Sequence, residues 1–101
     1  MFVRVYRFKV KSKDFEIYRE IERKASMIYK KHGITKHITL FRKGKSFTHI
    51  LLLEFYKSEK EFKRILKKVN ADKRIKELWK RFLRISVGRV HGEVFCWADK
   101  Y

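Results

Sequence analysis

Residues Phe47–Tyr56, FTHILLLEFY, form the most continuously apolar run in the chain and decide how the rest is read. Adjacent apolar residues in so short a window, rich in aromatics, predict a strand covered on both faces. A bilayer span needs about 20 apolar residues, so the run does not read as one. Ser58-Glu59-Lys60-Glu61 follows at once and has the spacing of a capping box, with Ser at the N-cap and Glu three residues on.

On the upstream side, Ile34–Arg42 (ITKHITLFR) predicts a second strand, and Lys43-Gly44-Lys45-Ser46 turns it into the central one as a β-hairpin. If Lys43 pairs with Ser46, Ile34, Ile38, Leu40, Leu51, Leu53 and Phe55 share a face suited to lie under helices. His37, Thr39, Phe41, Thr48, Ile50, Leu52 and Glu54 then share the opposite, more polar face, while His49 falls on the helix side. Earlier still, Phe2–Lys11 alternates, with Phe2, Arg4, Tyr6, Phe8 and Val10 on one side and Val3, Val5, Arg7, Lys9 and Lys11 on the other. Ser12 is placed to cap a helix reaching His32, with Gly33 as its left-handed end; Phe15, Tyr18, Ile21, Ala25, Ile28 and Tyr29 give its apolar stripe.

Downstream, Phe62, Ile65, Leu66 and Val69 form the stripe of a second helix. Asn70-Ala71-Asp72 interrupts it, and Asp72 caps a third stretch carrying Ile75, Leu78, Trp79 and Phe82. Alternation returns over Val87–Ala98, with Val90, Val94 and Cys96 on one side and Arg89, His91, Glu93, Phe95 and Trp97 on the other. The order β-α-β-β-α-(α)-β predicts an α+β, ferredoxin-like fold in which helices cover one face of an antiparallel four-stranded sheet.

Composition bounds the function. A chain of 101 residues reads as one domain with a modest core. Lys and Arg number 28 against 11 acids, a formal charge of +17. Glu is far too scarce to partner so many Lys in ion-pair networks, so the charge serves either solubility or a polyanionic partner. The lone Cys96 excludes an internal disulfide and any multi-cysteine metal site, and fits a reducing, cytoplasmic setting. The N-terminal MFVRVYRFKV carries charges within its alternation and reads as neither signal peptide nor membrane anchor.

The segment from Glu54-Phe55-Tyr56-Lys57-Ser58 through Phe62 to Ala71-Asp72-Lys73-Arg74-Ile75-Lys76-Glu77-Leu78-Trp79-Lys80-Arg81-Phe82 resembles the dimeric α+β barrel superfamily, in particular NIPSNAP-like and antibiotic-biosynthesis-monooxygenase-like domains. The resemblance covers nearly the whole chain through spacing and residue character. It implies a homodimer with facing sheets and a cavity inside each barrel half. The strong basicity departs from the family's apolar ligands, so the cavity is expected to take a small anionic or aromatic ligand, with cofactor-independent oxygenase or isomerase chemistry open to it. Lys43-Gly44-Lys45-Ser46-Phe47-Thr48-His49-Ile50 also resembles the third-strand signature of the RNA-recognition motif at Lys43-Gly44 and Phe47, which implies a nucleic-acid-binding module instead.

Candidate residues follow from shared faces. His37 with Glu54, and His91 with Glu93, pair an imidazole with a carboxylate as a general base requires. Both histidines are expected inside the barrel, with Arg89, Phe41 and Trp97 binding the ligand. Dimerisation is expected through the face opposite the helices, there presenting Phe41, Ile50, Leu52, Phe95 and Trp97. Lys43, Lys45, Lys63, Lys67, Lys76 and Lys80 are the candidates for contacting nucleic-acid phosphates. No ligand spacing points to a metal, no glycine-rich loop to a phosphate cofactor, and neither is expected.

Overall fold

Hydrogen-bonding needs and the two alternating faces of β1 (Phe2–Lys11) put this strand at the centre of the sheet. The computed structural model describes residues 1–96. After β1, a short 3-10 turn leads into α1 (Phe15–Lys31), then β2 (Lys36–Lys43), β3 (Phe47–Tyr56), α2 (Glu59–Asn70), α3 (Lys73–Ile85) and β4 (Ser86–Cys96). The sheet order is β2-β3-β1-β4, and every neighbouring pair is antiparallel.

The helix ends follow local chemistry. Ser58 Oγ accepts from the Glu61 amide at 3.1 Å and Asp72 Oδ1 from the Arg74 amide at 2.9 Å, so both expected caps form. Gly33, at φ +105°, ends α1: its amide reaches the Lys30 carbonyl and the Ile34 amide reaches that of Tyr29, the paired bonds of a Schellman end. Ser12 does not cap α1 as expected. Its hydroxyl instead donates to the Gly44 carbonyl at 2.7 Å and meets Thr48, tying the start of α1 to the hairpin turn.

The core lies between the helices and the β1 face bearing Phe2, Phe8 and Val10. Phe8 meets Tyr18 of α1 and Phe82 of α3 edge-on, at 5.3 and 5.0 Å, while Phe62 of α2 packs on Phe2 and Tyr56. Ile65 and Val69 close the α2 side.

The hairpin corrects the sequence reading. Lys43 pairs with Thr48 rather than Ser46, and the Gly44 amide donates to the Phe47 carbonyl at 2.9 Å. A Cβ at Gly44 would sit 2.5 Å from that carbonyl oxygen, so the turn needs glycine. A register change of two residues leaves each face's membership intact. What is reversed is the face that the helices cover: Thr48, Ile50, Leu52, Glu54 and Tyr56 lie beneath them with His37 and Phe41. Ile38, Leu40, Leu51, Leu53 and Phe55 lie on the open face, and so does His49. The cause is β1, whose aromatic face is continuous with Ile50 and Tyr56 through the Phe8–Ile50 and Phe2–Tyr56 pairs.

Candidate functional site

Cross-strand register divides the open sheet face into rows. The first runs Lys36, Phe55, Val3, Phe95, and the second Ile38, Leu53, Val5, Glu93. Leu40, Leu51, Arg7 and His91 make the third, and Arg42, His49, Lys9 and Val87 the fourth. Apolar character therefore dominates one end of the strands and positive charge the other. Val3 and Val5 are already buried by their neighbours on this face, at 7% and 6% exposure, although no helix covers them.

At the charged end the register between β1 and β4 slips between Arg7 and Lys9, beside Gly88. The slip opens a basin of about 630 Å³ whose polar lining comes from Arg7, Lys9, Arg42, His49, Arg89 and His91, with Leu40 and Leu51 as part of its apolar floor. Glu93 is the one carboxylate on the open face among the described residues, and Arg7 holds it at 3.2 Å. Lys9 sets its ammonium over the Phe47 ring at 4.7 Å. Arg42 and Arg89 are exposed, and two guanidinium forks beside two imidazoles can bind carboxylate or phosphate oxygens bidentately.

The four expected acid–base residues are split by the sheet. His91 and Glu93 lie on the open face, as does Arg89. His37 and Glu54 are direct cross-strand partners but lie on the helix side, which corrects their expected position in the barrel interior. Phe41 is also on that side, with its ring 4.7 Å from Phe15, so the expected ligand contact is instead a contact with α1. Ile50 and Leu52, expected on the dimer face, belong to or pack against the core. Trp97 lies outside the described residues. Arg7, Lys9, Arg42 and His49 were not singled out from the sequence. The signal for them was present in the odd-numbered face of β1, where two cations follow two valines.

Beneath the helices, Glu54 is 4% exposed and accepts from Tyr56 Oη at 2.9 Å. Burial pushes its carboxyl up to about 7, against the opposing pull of that hydrogen bond and of Arg4. Burial likewise raises the Tyr29 and Tyr56 hydroxyls, with Glu54's charge adding to both. His37 lies 6.3 Å from the Tyr29 ring, and burial followed by Lys30 holds its pKa down, favouring the neutral imidazole. Its Nε2 is buried without a hydrogen-bond partner among the described residues, beside a cleft of about 150 Å³ lined also by Arg19, Arg23 and Lys30.

The lysines considered for nucleic acid are all exposed. Lys43 and Lys45 flank the hairpin turn. Lys63 and Lys80 stand 3.5 Å from Glu59 and Glu77 of their own helices. Among the described residues, seven of the eight ion pairs involve the helices, whereas Arg7–Glu93 is the one on the open face.

No protein-family model and no curated protein matches the chain. Solved structures do match. A NIPSNAP family protein of unknown function from Agrobacterium tumefaciens superposes with a TM-score of 0.74 at 13% identity, over 94% of this chain and 86% of that one. SnoaB, a cofactor-independent oxygenase from Streptomyces nogalater, gives 0.68 at 14% identity, over 98% and 94%. A dimeric ferredoxin-like protein from an uncultured marine organism gives 0.73 at 11% identity, over 100% and 98%. The fold is ferredoxin-like, as in these solved structures. At these identities the likeness speaks for architecture alone. No described helix is long and apolar enough to cross a membrane.

Proposed function

We propose that the chain forms a homodimer by closing the open faces of two copies on one another, and that the basin at the charged end of that face binds a small anionic ligand. The observation that carries this reading is the change along the rows, from Phe55, Val3 and Phe95 at one end to Arg42, His49 and Lys9 at the other. The apolar rows supply the contact between copies. The cationic rows supply the recognition. The neighbour described as a dimeric ferredoxin-like protein supports assembly into a dimer.

The ligand class is a carboxylate or phosphate, aromatic or aliphatic, with its anionic group on Arg42 and Arg89 and its apolar part toward Leu40 and Leu51. His49 and His91 are the groups in the basin able to move a proton to or from it, and Arg7 fixes Glu93 nearby. The neighbour described as a cofactor-independent oxygenase makes such chemistry the first activity to assay. Light scattering combined with a calorimetric screen of aromatic carboxylates and phosphates tests the reading. A dimer and a ligand whose affinity falls at least about tenfold in Arg89→Ala are expected. A monomer across the micromolar range, or binding unchanged in Arg89→Ala, overturns it.

A further inference from the structure

Resting on the dimeric reading above, we propose that ligand binding and dimer assembly are one linked equilibrium, and that the ligand is a multivalent oxyanion. The basin gathers Arg7, Lys9, Arg42 and Arg89 on one face of one protomer, with Glu93 the sole carboxylate beside them among the described residues. Arg7 uses that carboxylate at 3.2 Å, leaving Arg42 and Arg89 with no anionic partner on the face among the described residues. The Lys9 ammonium has the Phe47 ring, which attracts but does not neutralise it.

Packed sheets stand about 10 Å apart, so a second copy laid on this face covers the basin and removes water from these cations. Desolvating unpaired charges opposes assembly, and like charges brought together oppose it further. The apolar rows favour assembly but occupy only the end of the face around Val3, Val5, Leu53 and Phe55. A monovalent anion leaves most of the basin charge uncompensated. An ion with several negative oxygens, such as a pyrophosphate or a tricarboxylate, can engage both guanidinium forks and the ammonium together. Whatever binds the assembled face better than the separated one must strengthen assembly by the same factor. The basin is thus a site that the ligand and the second copy fill jointly.

Sedimentation velocity at matched ionic strength, in sodium chloride alone and with millimolar pyrophosphate replacing part of it, tests the linkage. The dimer dissociation constant is expected to fall by about tenfold or more in pyrophosphate. In the Arg42→Gln, Arg89→Gln double variant the dimer is expected to form in chloride alone, without the pyrophosphate effect. A wild-type dimer equally tight in both solutions overturns the linkage and leaves the dimeric reading standing. So does a pyrophosphate effect that persists in the double variant, because the anion then acts elsewhere. A monomer in every solution overturns the dimeric reading itself, and the linkage with it.

Discussion

Tyr56 donates its hydroxyl to Glu54 across 2.9 Å beneath the helices, and Glu54 retains only 4% of its exposure there. Arg4, Tyr6, Tyr29 and His37 face the same carboxyl. Burial outweighs the hydrogen bond and Arg4 and lifts the carboxyl from 4.5 to about 7. The folded state therefore binds this proton more tightly than the unfolded chain. Its contribution to stability is complete below about pH 4.5 and is lost as pH rises through about 7, a difference of about 3 kcal/mol at most. His37, with its lowered pKa, changes the other way, losing stability as pH falls below the ordinary histidine range.

Glu54→Gln isolates the first effect, since the amide oxygen still accepts from Tyr56. In urea titrations the variant should match the wild type near pH 4.5 and exceed it by up to about 3 kcal/mol at pH 8. A pH-independent difference between the two would show that Glu54 ionises freely in the fold.

Phe8 is the point where β1 meets both α1 and α3, through the Tyr18 and Phe82 rings. Phe8→Ala should cost about 3 to 5 kcal/mol, because the cavity lies between three elements that cannot all collapse into it. Ser58→Ala removes one cap at the start of α2 and should cost about 1 kcal/mol. Chemical denaturation reads both, and similar losses for the two would contradict this account of the core.

The strands, the broken second helix and both downstream caps were legible because they rest on local signals: alternation in Phe2–Lys11, Ser58 with Glu61, and Asp72 before Arg74. Which face of the hairpin the helices cover was not. Ile38, Leu40, Leu51 and Leu53 are more apolar than Thr48, Glu54 and His37, yet the helices lie on the second set. With Ile38, Leu40, Leu51, Leu53 and Phe55 on the open side and its cations gathered at one end, the hairpin alone has no wholly polar face to mark the outside. The deciding contact, Phe8 beside Ile50, joins strands separated by α1 and β2, and no short turn fixes its parity. The basin was hidden for the same reason, since Arg7, Arg42 and His49 come together only once that parity is known.

Phe95 is 47% exposed on the open face, in the row with Val3 and Phe55. Phe95→Asp should leave the monomer folded, as its helix-side neighbours are untouched, and should weaken the dimer by about 2 kcal/mol or more by setting a charge against apolar surface. Circular dichroism checks the fold and light scattering the assembly. An unaffected dimer would move the contact between copies to another surface.

The exposed cations of α2 and α3 make a second, separable prediction. Their field follows net charge, and the pairing of Lys63 with Glu59 or Lys80 with Glu77 reduces it little because the pairs are exposed. Short single-stranded oligonucleotides should bind weakly at about 50 mM salt and release by about 200 mM, with little sequence preference. Reversing Lys63, Lys67, Lys76 and Lys80 to Glu should abolish this binding while leaving pyrophosphate affinity intact, since those side chains lie across the sheet from the basin. Arg42→Gln with Arg89→Gln should do the opposite. Fluorescence anisotropy for the oligonucleotide and calorimetry for pyrophosphate distinguish the two surfaces. Loss of both ligands in the helix variant would mean that the charge acts as one undivided field, and that the basin has no selectivity of its own.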